Sequence, residues 1–252
     1  MIVIFVRKTE DWDTFTIDEL AKKIDKEFSS GFVIDSKMVQ KIKRWDKIMK
    51  IPYFKYRSLL KSLAETTYIN CKACYTIDEL DNIGDDDFIC PADDDDWFRP
   101  DLSEAIPKLI QSHDVLCWDQ VVHTTHLFRP HRWYQWHPDE TMNTNNYCVR
   151  GRLFKSLTRH QKKLIMMDEN LVETIMSNSN VAIQKTNELL SCYLWHIGGL
   201  SFMSSNDVAS NHIILPEKCN IDDDDMKWTQ SYFDLLAQIN NLLSPSDPIK
   251  FE

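Results

Sequence analysis

The chain has 252 residues, 43% hydrophobic and 27% charged, which suits one domain with a substantial core. A formal net charge of −10 argues against a general nucleic-acid binder, which needs a basic face, but leaves room for a nucleotide held by a metal ion and a few cations. Only 5 glycines occur, at 31, 84, 151, 198 and 199, so neither GxGxxG nor GxxxxGKS/T can be built, and the dinucleotide and P-loop fingerprints are excluded. Among the 7 cysteines Cys71 and Cys74 form the sole CxxC; without a second pair this is no zinc ribbon, and two ordinary thiols or a redox dithiol remain. No window reaches the ~18 apolar residues of a membrane span. The apolar run Ile2-Val3-Ile4-Phe5-Val6 is too short for a signal peptide. The expectation is a soluble, cytoplasmic protein with no nucleic-acid partner.

Ile2 to Val6, β-branched and continuous, predicts a buried strand, and it delivers Arg7, Lys8 and Thr9 to its carboxyl end. Thr16-Ile17-Asp18-Glu19-Leu20 predicts a capped helix running to about Phe28, with Leu20, Ile24 and Phe28 on one face. Phe32-Val33-Ile34 reads as a second strand. Residues 38–49 form a helix with Ile42, Trp45 and Ile48 inward, and 56–65 another with Leu59, Leu60 and Leu63 on its apolar side. Tyr68-Ile69-Asn70-Cys71 reads as an edge strand. Thr76 then opens a helix that leads through Gly84 to the apolar run Phe88-Ile89-Cys90. Strands alternating with helices predict a largely parallel α/β sheet.

Four carboxylates, Asp93 to Asp96, follow that last run at once, and then Trp97-Phe98-Arg99-Pro100. A strand ending in clustered acids puts them at the carboxyl edge of a sheet, where open α/β folds bind ligands. Adjacent carboxylates repel one another, and oxygen-only donors suit Mg²⁺, Mn²⁺ or Ca²⁺. The competing reading is a solvated turn. A second run, Asp222 to Asp225, has no strand before it and a helical pattern over 226–243 after it, so it reads as a helix N-cap and first turn.

The stretch from Phe88 to Pro100 resembles the DxD segment of GT-A-fold glycosyltransferases, the family-2-like ones in particular, including a rhamnosyltransferase type. On that pattern Asp93 and Asp95 are the DxD pair and Asp96 the extra acid. The resemblance implies that Asp93, Asp94 and Asp95 serve the donor and its metal, with Asp93 and Asp95 binding Mn²⁺ or Mg²⁺ against the diphosphate. It makes Arg7 and Thr9, after the first strand, candidates for the nucleotide; a surface arginine is the alternative.

Residues 102–110 predict a helix and Asp114-Val115-Leu116-Cys117-Trp118 a strand that Gln120-Val121-Val122-His123 extends. His131, Trp133, Tyr134, Trp136 and His137, with the asparagines of 139–146, suit either an acceptor pocket or a core hairpin. Tyr147-Cys148-Val149 reads as a strand turning at Arg150-Gly151 into a helix. Asp168 and Glu169 fall where the family places an acidic pair whose second member is the general base of inverting enzymes; a helix N-cap is the other reading. His196 is the counterpart of a late histidine that completes the metal shell in several GT-A enzymes, or a structural histidine.

The expectation is therefore a single-domain α/β protein, GT-A-like, with a mixed and mostly parallel central sheet flanked by helices. Residues 1–205 make the catalytic domain (1–100 the nucleotide half, 101–205 the acceptor half), and 206–252 a helical extension packed on it. Its activity would be metal-dependent hexosyl or deoxyhexosyl transfer from a UDP-, GDP- or dTDP-sugar to a glycan or glycoconjugate hydroxyl. A sugar nucleotidyltransferase and a non-catalytic metal- or carbohydrate-binding module are the alternatives. The first usually carries a Gly-rich loop after strand one and the second a Ca²⁺ loop with Gly at its sixth position; neither is present.

Overall fold

A computed structural model describes residues 1–7, 16–22, 35–125, 132–136, 145–164, 181–196, 227–229 and 234. At its centre lies β1 (Ile2–Val6), every residue of which is buried. Ile2, Ile4 and Val6 enter one core and Val3 and Phe5 the other. A strand covered on both faces has no use for polar alternation, which is why this run is apolar throughout. β2 (Lys72–Cys74) pairs with β1 on one side and β3 (Phe88–Ala92) on the other, both parallel to it.

Helices cover both faces. α2 (Ser36–Ile48), α3 (Tyr53–Glu65) and α5 (Leu102–Ile110) contribute Met38, Ile42, Leu60, Leu63, Leu102 and Ile106 to the core under Ile2, Ile4 and Val6. α4 (Ile77–Leu80) and α6 (Gly151–Ser156) bring Leu80 and Phe154 to the core under Val3 and Phe5. Polar signals fix where helices begin. Asp35 accepts from the Met38 N–H at 2.7 Å. Thr76 and Glu79 close a capping box on α4. Thr16 and Glu19 do the same for α1 (Ile17–Lys22).

β4 (Trp97–Phe98), β5 (Val115–Thr125), β6 (Arg132–Trp136), β7 (Tyr147–Arg150) and β8 (Ile183–His196) complete an eight-stranded sheet. Its order is β2-β1-β3-β7-β5-β8-β4, with β6 on β5. The expectation of a mostly parallel sheet is corrected. Three ladders are parallel (β1–β2, β1–β3, β5–β8) and four antiparallel (β3–β7, β5–β7, β5–β6, β4–β8). Helical crossovers connect β1 to β2 and β2 to β3, and helices also separate β4 from β5 and β7 from β8. Beyond β3 strand directions reverse: β6 pairs antiparallel with β5, and β7 lies antiparallel between β3 and β5. A short α7 (Arg159–Leu164) follows α6.

Two further expectations change. The strand expected at Tyr68-Ile69-Asn70-Cys71 is displaced to Lys72–Cys74. Asn70 is in the left-handed region (φ 56°), which ends any extended run there. Residues 183–188, ahead of Leu189, also turn out to be strand. The predicted strand at 32–34, the end of the first helix beyond residue 22, and the run Asp222 to Asp225 lie outside the described residues. Of the helix predicted over 226–243, residues 227–229 and 234 are described and helical. No described helix is long and apolar enough to cross a membrane.

Candidate functional site

From β1 the chain reaches β2 on one side and then returns to β3 on the other, so the strand order reverses at β1 and β3. Open α/β sheets bind ligands outside the carboxyl ends of the strands at such a point. The in-register pairing of Val6 with Ala92 brings the next residues, Arg7 and Asp93, together. The Arg7 N–H donates to the Ala92 carbonyl at 2.9 Å, and its guanidinium pairs with the Asp93 carboxylate.

Asp93 to Asp96 form a tight turn. The Asp96 N–H donates to the Asp93 carbonyl at 3.3 Å, and the Asp93 N–H returns a bond to Asp96 Oδ2 at 2.7 Å. The turn joins β3 to β4, which are separated in the strand order by β7, β5 and β8. Trp97 and Phe98, both fully buried, clamp its far end through antiparallel pairing with Cys192 and Ser191. The Phe98 N–H also donates to Thr67 Oγ1 at 3.1 Å. Pro91 is tolerated in β3 because its missing N–H faces β7, whose pairing with β3 ends at Ile89.

A guanidinium from α3 reaches the turn from inside. Arg57 Nη1 donates to Asp95 Oδ2 at 2.5 Å, and Nη2 pairs with Asp94. Arg57 shares the inward helix face with Tyr53, Tyr56 and Leu60 and is buried. Burial alone would lower its pKa; Asp94 and Asp95 outweigh that and hold it well above its ordinary value. Burial pushes the Tyr53 and Tyr56 hydroxyls up, an effect Arg57 opposes.

The four carboxylates are not equivalent. Side-chain exposure falls from 31% at Asp93 to 12% at Asp95 and 4% at Asp94, so Asp93 faces outward, Asp95 sits at the edge of the interior, and Asp94 lies inside, the last two both paired with Arg57. Asp96 has no exposed surface. Burial, then Asp93 and Asp95, push its carboxyl well above the usual range, toward the neutral form. Burial, then Asp96 and Asp94, raise the neighbouring Tyr68 hydroxyl. Asp96 Oδ1 and the Tyr68 hydroxyl are buried without a hydrogen-bond partner.

The donor chemistry suits a hard divalent cation. Among the described residues Arg7 pairs with Asp93, and Arg57 with Asp94 and Asp95. No group of three metal-ligating side chains occurs among the described residues. Asp93 and Asp95 could hold such an ion as one or two carboxylates, the number Mg²⁺ usually takes beside water and phosphate.

Of the expected site residues, Arg7, Asp93, Asp94 and Asp95 come together; Asp94 does so through Arg57 and away from solvent. Thr9, Asp168 and Glu169 lie outside the described residues. His196 ends β8, and the β4–β8 ladder, followed back from Trp97, leads toward that end; the His196 side chain is not among those described. Of the proposed acceptor pocket, Asn145 and Asn146 are buried, and their carbonyls accept from Trp118 Nε1 (3.1 Å) and N–H (3.0 Å), a bracing role. Residues 132–136 form the hairpin strand β6 on β5. Burial pushes the Cys71 thiol up to about 11 and raises Cys74, and both are free thiols. Arg57 escaped the sequence reading, although an arginine three residues before Leu60 on an apolar helix stripe signals buried acids.

No protein-family model and no curated protein matches this chain. Among solved structures it is similar to residues 1–349 of S. aureus TarS, at 12% identity and a TM-score of 0.35, over 77% of this chain and 60% of that one. A structure of the same TarS segment in complex with UDP-GlcNAc gives 13% identity and a TM-score of 0.37, over 98% and 68%. The chain thus spans 60% of the first of these neighbours. Likeness at these scores carries no weight for function.

Proposed function

We propose that this protein transfers a sugar from a nucleoside-diphosphate donor to a hydroxyl of a glycan or glycoconjugate. The observation that carries the reading is the meeting of Arg7, Arg57 and the Asp93–Asp96 turn at the strand-order reversal, a ligand position reached independently of the DxD resemblance. In the reaction the bond from the sugar's anomeric carbon to the diphosphate breaks, the acceptor oxygen bonds to that carbon, and the nucleoside diphosphate leaves. Arg7 and Thr9, at the end of the first strand, are the proposed nucleotide contacts. Asp93 and Asp95, with His196, are the proposed ligands of Mn²⁺ or Mg²⁺. When bound, the metal supplies Lewis-acid stabilisation of the departing diphosphate. In an inverting reaction Glu169, or Asp168 beside it, takes the acceptor's proton.

Residues 1–205 as the catalytic unit, 206–252 as its extension, and a cytoplasmic setting belong to the same proposal. The free thiols of the described cysteines support the last.

Calorimetric titration with UDP, GDP and dTDP, with and without Mn²⁺, tests the reading on wild type and Asp95→Asn. One nucleotide should bind with metal, and the variant should lose at least about tenfold in affinity. If no nucleotide binds under any condition, the proposal fails.

A further inference from the structure

We propose that Arg57 is a resident counter-ion that a divalent cation displaces from Asp95, so that Arg57 pairing and metal binding at Asp95 exclude one another. The proposal rests on the reading of Asp95 as a metal carboxylate and adds what occupies that carboxylate before the metal arrives.

The two ends of the Arg57 fork meet different surroundings. Nη2 is held by Asp94, whose side chain is 4% exposed, and Nη1 by Asp95, which at 12% is closer to solvent. A buried guanidinium stripped of every carboxylate would be costly to keep in the interior. Asp94 removes that cost. With one anchor fixed inside, Arg57 can give up Asp95 and remain paired. The carboxylates therefore divide into an exchangeable one, Asp95, and an internal one, Asp94. A planar fork is what makes the bridge possible; a lysine ammonium is a single point charge and cannot span two carboxylates with the same fixed geometry. Asp96 Oδ1 on the same turn is buried and unpartnered, as is the nearby Tyr68 hydroxyl, so the turn's polar groups are not all satisfied by the protein alone.

Mn²⁺ affinity, read by the loss of the free-ion electron paramagnetic resonance signal in the absence of nucleotide, separates this arrangement from a structural one. Arg57→Lys keeps the positive charge for Asp94 and loosens the hold on Asp95, so Mn²⁺ should bind roughly tenfold more tightly, the worth of one charge-assisted hydrogen bond. Asp94→Asn removes the internal anchor's charge and throws Arg57 onto Asp95, so Mn²⁺ should bind several-fold more weakly. Asp95→Asn should abolish this binding. Thermal melts establish that each variant is folded, and if Arg57→Lys does not fold, Arg57→Gln, which also loosens the hold on Asp95 and should likewise tighten Mn²⁺ binding, takes its place. Opposite shifts in the two variants support the exchange. Equal or weaker affinity in both overturns it, since a merely structural bridge would be damaged by either change. Wild type without Mn²⁺ affinity overturns this proposal together with the metal assignment, whereas nucleotide binding in the calorimetric test judges the transferase reading separately.

Discussion

Asp96 closes the carboxylate turn with one oxygen and leaves the other unpartnered in the interior. Its folded pKa is raised above the ordinary 3.8, so the folded protein holds this proton more tightly than the unfolded chain. The stability linked to it is complete below the unfolded value and is lost as pH climbs through the raised folded one. Asp96→Asn retains an acceptor for the Asp93 N–H and removes the ionisation. Its melting temperature should gain on wild type progressively from about pH 4 upward; a difference flat with pH would show that Asp96 is ionised without cost. At this scale the sequence yielded the acids and missed their partner. Asp93 and Asp95 stand out because the run follows an apolar strand, but which carboxylates are paired inside depends on Arg57. That residue lies 36 positions before Asp93 in the chain, and only the packing of α3 brings it to the turn.

Elements were legible where their pattern was dense. β1 is a continuous apolar run, α4 carries its capping box, and the bounds expected for α5 are those observed. β8 was not legible along its whole length. Gln184, Lys185, Thr186, Asn187 and Glu188 are partly or largely exposed, so this half of the strand has no apolar run to announce it. Its register against β5 also shifts around Asp119, which breaks the alternation of faces. The turn into α6 carries a tighter constraint. A Cβ on Gly151 would lie 2.1 Å from the Gly84 carbonyl oxygen, backbone that cannot swing aside. Gly151→Ala should therefore cost about 1–3 kcal/mol in urea unfolding. At Gly84 the nearest atom to an added Cβ is the Asp87 side chain at 3.0 Å, which has more freedom to move, so Gly84→Ala should cost less. Equal losses at the two positions would count against the close approach as the cause.

Over the whole molecule the acidic balance has a kinetic consequence. A protein of formal charge −10 repels a nucleoside diphosphate at long range, and added salt screens that repulsion. Stopped-flow association of the cognate nucleotide, at fixed saturating Mn²⁺, should accelerate between about 10 and 150 mM salt. Slowing would mean that a local positive field dominates the approach. The three-layer arrangement was legible from alternating strands and helices, and the reversed strands were not, because strand direction leaves no mark in the periodicity of a single run and α5 and α6 follow their strands as a crossover helix would. One of those reversed strands governs when the site can exist. β4 finds its ladder partner in Cys192, almost a hundred residues further along the chain, so the Asp93–Asp96 turn is anchored at β3 early and at β4 only after β8 has docked. Pairings so distant in sequence are late events in folding. During synthesis the carboxylates would emerge well before their clamp, and the chain would complete this acidic edge as one of the last steps of its own assembly.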